Sequence, residues 1–138
     1  MKRLEFNLVS PRKRPVIKLN GIDVLMDSGA ELSLSIFSKK YFERHYNIVG
    51  EKHIESIKTA NSEMPGTVII LEKFQIGELT IVGLPILIPD GETYIKTPIA
   101  LGADVFYNCG LDHGALNSKQ KYFIEIPDDI MVRKYSLS

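Results

Sequence analysis

Short apolar runs interrupted by Gly, Pro and Asn dominate the chain, and this pattern is typical of a mostly β protein. Residues 15–19 predict a first strand, and residues 22–26 predict the strand that returns beside it. Asn20-Gly21 between them is the strongest two-residue signal for a hairpin turn, because both residues tolerate a positive φ. The returning strand is apolar at its far end, which predicts that both of its faces are buried there.

The rest of the chain predicts further short strands and two short helices, with no linker long enough to divide it. Polar turn residues 60–66 separate two strands, and a second tight hairpin surrounds Gly77. Ser38 and Asp104 are the predicted N-caps of the two helices, the second of which ends at Gly110. The remaining predicted strands lie within residues 31–38, 54–59, 67–74, 74–81, 84–88, 99–102 and 121–126, and the first helix spans residues 38–45.

The length and net charge of the chain limit its domain number and the kinds of partner that we expect. The 138 residues fit one domain spanning 1–138, and 17 basic residues balance 17 acidic ones, so we expect neither a nucleic acid nor a membrane as partner. The longest apolar stretch, residues 79–89, is too short to cross a bilayer, and the N-terminus lacks the apolar segment of a signal peptide. The single cysteine, Cys109, cannot form an intramolecular disulfide. We therefore expect a cytoplasmic protein.

The segment Asp27-Ser28-Gly29-Ala30 carries the candidate chemistry, because it places a carboxylate at the end of a buried apolar strand. Such a carboxylate is costly to bury unless it is hydrogen-bonded or functional. Gly29 would let the backbone approach the carboxylate, Ser28 would lock the loop through its hydroxyl, and Ala30 would leave room for a substrate. The alternative interpretation is that Asp-Ser-Gly simply forms a tight turn.

One carboxylate is not enough for peptide hydrolysis, which needs one carboxyl group as base and another as acid. The chain contains a single Asp-Ser-Gly segment. A second Asp27 would have to come from a second chain across a two-fold axis, and we therefore expect a homodimer.

Residues 17–30 resemble the first half of the retropepsin family, in which a strand, a Gly turn and an apolar strand lead into Asp-Thr/Ser-Gly-Ala. Residues 99–106, Ile-Ala-Leu-Gly-Ala-Asp-Val-Phe, are similar to the second signature of that family: apolar residues, Gly, any residue and, in cellular relatives, often Asp. A faint internal repeat of strand, Gly-containing turn and strand, at residues 18–24 and 75–81, fits two related halves. The resemblance covers residues 15–107.

This resemblance implies a single-lobe, closed β barrel of the retropepsin-like acid-protease type, with a flap hairpin and one or two short helices. Asp27 would be the catalytic aspartate, Ser28, Gly29 and Ala30 would form the active-site loop, and residues 54–74 would form a flap over an extended peptide substrate. The implied substrate-binding residues are Glu31, Ala60, Asn61, Ser62 and Gly66. The implied structural second motif is Leu101, Gly102 and Asp104, in which Gly102 permits a tight crossing beneath the active-site loop. No metal and no other cofactor are implied.

The predicted function is that of an aspartic endopeptidase, in which two Asp27 carboxylates of a homodimer activate a water molecule. Two departures from the family pattern leave open a catalytically silent peptide-binding or scaffold dimer. The flap contains Gly66 as its one glycine, and Ala103 stands where retroviral members often have Arg. A third possibility is a lone β domain that acts on a larger assembly in trans.

Overall fold

The computed structural model describes residues 1–9, 14–27, 30–58, 63–93 and 96–136 of the chain. Within these residues the protein is mostly β, as predicted, with two short α-helices and one short 3-10 turn. The strands are β1 (Lys2–Asn7), β2 (Val16–Leu19), β3 (Ile22–Asp27), β4 (Leu34–Ser35), β5 (Ile48–Lys58), β6 (Glu63–Ile76), β7 (Leu79–Pro89), β8 (Ile99–Gly102), β9 (Asp112–Leu116), β10 (Lys121–Ile126) and β11 (Val132–Lys134). The helices are α1 (Lys39–His45) and α2 (Ala103–Cys109), and the 3-10 turn is Asn117–Lys119.

The strands form two sheets, of which the larger holds the candidate site. Its strand order is β2-β3-β8-β4-β7-β6-β5, and β11 pairs with β7 as the eighth strand. The smaller sheet has the order β1-β10-β9. In the larger sheet β3 and β8 run parallel to each other, whereas β5, β6 and β7 pair antiparallel in chain order.

The predicted closure of the sheet into a barrel is wrong for the described residues, since β2 and β5 end the strand path and do not pair with each other. The outer edge of β2 is instead met by the segment that follows β1. Leu8 pairs with Ile17, and the Val9 N–H donates to the Val16 carbonyl oxygen at 2.8 Å. This contact satisfies backbone groups that barrel closure would otherwise have to pair.

The hairpin that leads to the candidate site forms as the sequence predicts. Asn20 and Gly21 have φ values of 49° and 79°, and β2 and β3 pair antiparallel across them. Both faces of β3 are buried from Val24 onward, because Val24 and Met26 pack in the main core while Leu25 packs in a separate cluster. The strand therefore carries Asp27 into a buried position.

Several element predictions need correction. β7 continues without a break through Gly83 and Pro85, so the two strands predicted around Gly83 are one strand. The strand predicted within residues 31–38 is limited to Leu34–Ser35, and β6 begins at Glu63, inside the predicted turn. The strands β1, β9 and β11 were not predicted. Their pairing is decided by tertiary contacts, since β1 pairs with β10 and β11 pairs with β7, both far away along the chain.

The main core lies on one face of the larger sheet and includes a fully buried phenylalanine from each helix, Phe42 and Phe106. α2 ends at Gly110 as predicted, where a φ of 66° lets the glycine N–H bond to the carbonyl oxygens of the last turn. Ser38 occupies the N-cap position of α1, but its side chain makes no capping hydrogen bond. Among the described residues, no helix has the length and hydropathy that a membrane span requires.

Candidate active site

The two sequence motifs, about 75 residues apart along the chain, meet where β3 and β8 end side by side. The strands pair in parallel and bring Asp27 opposite Gly102. A Cβ atom on Gly102 would lie 2.8 Å from the Ala30 carbonyl oxygen and 2.8 Å from the carbonyl carbon of Leu32. The close crossing expected at Gly102 is therefore present, and a larger residue would collide with the backbone that follows Asp27.

Asp27, the predicted catalytic aspartate, is only 7% exposed. The Arg14 guanidinium lies beside it, with Nη2 3.6 Å from Asp27 Oδ2, and the Arg14 side chain is itself 52% exposed. The Ala30 N–H donates to the Asp27 carbonyl oxygen at 3.1 Å, which holds Ala30 against the end of β3. Ser28 and Gly29, the other predicted residues of this loop, lie outside the described residues.

A buried apolar cluster lies on the same face of the larger sheet as Asp27. Side chains alternate between the two faces of a strand, so Asp27 shares its face with Leu25, its neighbour but one. Leu25 belongs to a buried cluster that is separate from the main core and is called the apolar floor below. The floor takes one residue from each strand on the path from β2 to β5: Val16, Leu25, Ala100, Leu34, Leu87, Val68 and Ile54.

The hairpin of β5 and β6 extends past the end of its neighbour β7. Its partner β7 ends at Pro89, opposite Gly66. Beyond that point the Asp90 N–H still donates to the Pro65 carbonyl oxygen at 3.0 Å, and β5 and β6 pair with each other from Ile54 opposite Gly66 to Lys58 opposite Glu63. Gly66 therefore lies at the base of this hairpin arm, not at its tip. Ala60, Asn61 and Ser62, predicted to contact substrate, lie outside the described residues.

Exposed apolar side chains flank the segment after Asp27. Leu32 is 45% exposed and Ile36 is 50% exposed, and Glu31, predicted to bind the substrate main chain, is exposed beside them. Ile36 lies at the start of β8, where its N–H donates to the Pro98 carbonyl oxygen, whereas Asp27 lies opposite Gly102 at the end of β8. Leu32, an exposed apolar side chain in the segment that follows Asp27, is therefore the candidate for contact with a second chain or a peptide.

Asp104 is not the N-cap of α2, contrary to the prediction. Gly102, held in the crossing, occupies the N-cap position, and Asp104 lies in the first turn and is 8% exposed. Its Oδ1 accepts a hydrogen bond from Ser33 Oγ at 3.1 Å, and its Oδ2 accepts one from Tyr135 Oη at 2.9 Å. Burial raises the pKa of Asp104, and the hydrogen bonds from Tyr135 and Ser33 oppose that shift.

Ser33 and Tyr135 belong to this region although the sequence did not single them out. Ser33 Oγ accepts the Gly102 N–H at 3.0 Å in addition to donating to Asp104. In the sequence, Ser33 is one of the hydroxyl residues that are interleaved with apolar residues after Ala30, and this is the one feature that could have pointed to it. Nothing in the local sequence connects Tyr135 with an acid so far upstream. Leu101, the remaining residue of the second motif, is fully buried in the main core.

Cys109 is not a candidate nucleophile. It is buried, and this burial raises the pKa of its thiol to about 11, so the thiol stays protonated at neutral pH. In the part of the chain that the structure describes, no three His, Cys, Asp or Glu side chains are grouped to hold a metal ion. Asp27 and Asp104, the two acids at the crossing, are therefore the groups to consider for a chemical role.

The chain matches no protein-family model, no curated protein and no solved structure. Membership of the retropepsin family therefore stays a prediction from two sequence motifs, and the function has to be argued from the geometry around Asp27.

Proposed function

We propose that this protein is a retropepsin-like aspartic endopeptidase, in which Asp27 from each of two identical chains forms the catalytic pair. The observation that carries the proposal is the position of Asp27: buried at the end of β3, opposite Gly102 and on the same face as the apolar floor. A carboxylate that is kept in such a place despite the cost of desolvation is a candidate for chemistry.

Two Asp27 carboxyl groups around one water molecule would supply both functions that hydrolysis needs. The ionised carboxylate accepts a proton from the water as its oxygen attacks the scissile carbonyl carbon, and the protonated carboxyl donates to the carbonyl oxygen. As the C–N bond breaks, the carboxyl that took the proton from water gives it to the leaving amine, and the hydroxyl of the tetrahedral intermediate returns its proton to the other carboxylate as the new carbonyl forms. Because two neighbouring carboxyls share one proton, activity is highest at acidic to mildly acidic pH.

The substrate in this proposal is an extended peptide with apolar side chains around the scissile bond. The apolar floor lies on the Asp27 side of the sheet, so apolar side chains of the peptide would be removed from water there. The hairpin arm, residues 54–58 and 63–66, would cover the peptide and add strand-like hydrogen bonds.

The dimer contact would lie at the loop after Asp27. Leu32 is exposed there, and its burial against a second copy would stabilise the dimer. β1 pairs with β10 of its own chain, so we do not assign the contact to these strands. The half-exposed Arg14, 3.6 Å from Asp27, would move toward solvent as the second carboxyl arrives.

Asp27→Asn is the direct test, with Asp112→Asn as a matched control at an exposed aspartate on β9. The assay follows cleavage of a mixture of extended peptides with apolar central residues at pH 4.5 to 6.5 by mass spectrometry. We expect Asp27→Asn to lower cleavage about 10³-fold or more, since it removes the acid and base together. We expect Asp112→Asn to cleave like the wild type.

Mixing the two forms tests whether each chain donates one Asp27. An excess of Asp27→Asn chains should abolish the activity of a fixed amount of wild-type chain, because each mixed dimer holds a single carboxyl. The same excess of Asp112→Asn should not. Full activity of Asp27→Asn, or activity that is indifferent to the excess, would refute the proposal.

A catalytically silent peptide-binding dimer is the second candidate, and the ion pair between Arg14 and Asp27 favours it. If Arg14 stays beside the carboxyl pair, the guanidinium opposes the shared proton that catalysis requires. This alternative predicts that wild type and Asp27→Asn bind the same peptides and that neither cleaves them. Fluorescence anisotropy with labelled peptides separates binding from cleavage.

A further inference from the structure

A buried chain of hydrogen bonds links the C-terminal segment to the end of β8. The Gly102 N–H donates to Ser33 Oγ at 3.0 Å, and Ser33 Oγ donates to Asp104 Oδ1 at 3.1 Å. Tyr135 Oη donates to Asp104 Oδ2 at 2.9 Å. Ser33, Asp104 and Tyr135 are called the buried network below. The proposed chemistry uses none of the three, yet the network ends on the residue that lies opposite Asp27.

The Asp104 carboxylate determines which groups of this network donate a hydrogen bond and which accept one. A serine hydroxyl has one proton, and since that proton goes to Asp104 Oδ1, a lone pair of Ser33 Oγ is left to accept the Gly102 N–H. Ser33 is 1% exposed, so water does not compete for either bond. A hydrogen bond to a buried carboxylate is also stronger than one between neutral groups. Ser33 is therefore held in one orientation by two different partners.

The network holds the segment that follows Asp27. At one end of this segment the Ala103 N–H donates to the Ala30 carbonyl oxygen at 2.9 Å. At the other end the Leu87 N–H donates to the Ser33 carbonyl oxygen at 2.9 Å. Residues 30–33 are thus tied to α2 and to β7, at the crossing where Gly102 leaves no space for a side chain.

The C-terminal segment brings Tyr135 to the network through contacts of its own. β11 pairs in parallel with β7, and the Tyr135 N–H donates to the Val82 carbonyl oxygen at 2.9 Å. Arg133 Nε donates to the carbonyl oxygen of Cys109, at the end of α2, also at 2.9 Å. Contacts with the larger sheet and with α2 therefore place the Tyr135 hydroxyl at Asp104.

We infer that Asp104 and Tyr135 are positioning residues for the Asp27 loop, acting through Ser33 and Gly102 without touching the substrate. The inference rests on the proposed function, because it assigns the network a share in turnover. A misplacement of a reacting group by about 1 Å costs on the order of 10²-fold in rate. A network that only stabilised the fold would change the folded fraction and leave turnover per folded dimer unaltered.

The test removes one polar group at a time and measures kcat and KM for the best-cleaved peptide of the mixture. Tyr135→Phe and Ser33→Ala are compared with Tyr107→Phe, which removes a hydroxyl from an exposed tyrosine on α2. We expect kcat to fall about tenfold to a hundredfold in both network variants, with KM within about twofold of the wild type. We expect Tyr107→Phe to match the wild type.

Asp104 is tested by a conservative and a disruptive replacement. Asp104→Asn keeps an oxygen that accepts the Ser33 hydroxyl, whereas Asp104→Leu removes it. We expect Asp104→Asn to retain most of the kcat that Asp104→Leu loses. Equal losses in these two variants, at equal folded fraction by circular dichroism, would overturn the role of Asp104 as an acceptor for Ser33.

Amide hydrogen exchange separates this inference from the proposed function, since it needs no activity. We expect Ser33→Ala and Tyr135→Phe to speed exchange of the Gly102 and Ala103 amides about tenfold or more, and Tyr107→Phe to leave both unchanged. If the wild type cleaves no peptide, the proposed function fails, and faster exchange at these two amides still supports the link from Tyr135 to the loop. Unchanged exchange in both network variants overturns the inference, and so does an unchanged kcat per folded dimer in an active protein.

Discussion

Asp27 and Asp104 are two buried carboxyl groups at the ends of neighbouring parallel strands, yet their surroundings differ in kind. Asp104 is held by the hydroxyls of Ser33 and Tyr135 and by backbone N–H groups, all of them neutral donors. Asp27 faces the guanidinium of a half-exposed arginine and shares its side of the sheet with the apolar floor.

The difference shows that two equally buried carboxyl groups can have different kinds of partner. The two groups are almost equally hidden, at 7% and 8% exposure. A carboxylate bound by fixed neutral donors is locked in place, which suits a structural or positioning role. When the positive charge beside a carboxylate belongs to a long side chain that reaches solvent, that side chain can move away and another group can take its place. The second arrangement suits a site that has to admit a substrate and a second chain.

Replacing each aspartate with leucine is the strongest test of the difference between Asp27 and Asp104. Asp104→Leu leaves two buried hydroxyls without their acceptor, and we expect it to lower the free energy of unfolding by about 3 kcal/mol. We expect Asp27→Leu to cost less than Asp104→Leu, because Arg14, which forms an ion pair with Asp27, can turn to solvent. Urea unfolding at one protein concentration measures both values. Equal losses would mean that Asp27 is held as firmly as Asp104.

Gly102→Ala tests the crossing that both acids share. The added Cβ would lie 2.8 Å from backbone atoms of Ala30 and Leu32, so the loop has to shift. We expect a loss of about 2–3 kcal/mol in the free energy of unfolding. Gly83→Ala is the matched control: its φ is +76° but nothing lies within 4 Å of the new Cβ, so it should cost about 1 kcal/mol. Similar losses for the two variants would remove the argument for a tight crossing.

His113 extends the comparison to a half-buried base that packs against α2. Its ring stacks on Phe106 with centroids 3.9 Å apart, its Nδ1 bonds to the Tyr122 hydroxyl, and burial lowers its pKa. The folded state therefore binds fewer protons than the unfolded state below about pH 6.5, and stability should fall as the pH drops through that range. The slope is at most about 1.4 kcal/mol per pH unit, the value for one proton.

The measurement for His113 is urea unfolding from pH 7.5 down to pH 5, with His113→Gln as the variant. We expect the variant to lose much of the pH dependence near pH 6. His53→Gln, at an exposed histidine on β5, should keep it. The same dependence in His113→Gln as in the wild type would show that the buried ring does not cause it.

Arg14→Gln should have the smallest effect and would test how much Arg14 contributes to holding Asp27. The guanidinium is half exposed and 3.6 Å from the carboxylate, so we expect a change of at most about 1 kcal/mol in the free energy of unfolding. Lys18→Gln, at another exposed cation in a surface ion pair, is the control. A loss from Arg14→Gln near that expected for Asp104→Leu would break the contrast between the two acids.

Local features of this protein followed from its sequence because they depend on a few neighbouring residues. Asn20-Gly21 determined the turn through its tolerance of positive φ, alternation predicted β10, and Gly110 ended α2. The candidate acid was also visible, since Asp27 follows an apolar run. The prediction that Asp104 caps α2 was wrong, because a helix cap is inferred from neighbouring residues, whereas the hydroxyl partners of Asp104 are distant in sequence.

Only the tertiary structure decided which distant segments meet. The parallel pairing of Asp27 with Gly102, the approach of Tyr135 to Asp104 and the open path of the larger sheet all depend on how the whole chain buries its apolar faces. Strand patterns state which face of a strand is apolar but not which strand lies beside it. That choice is made by the combined burial of residues far apart along the chain, which no short window of sequence contains.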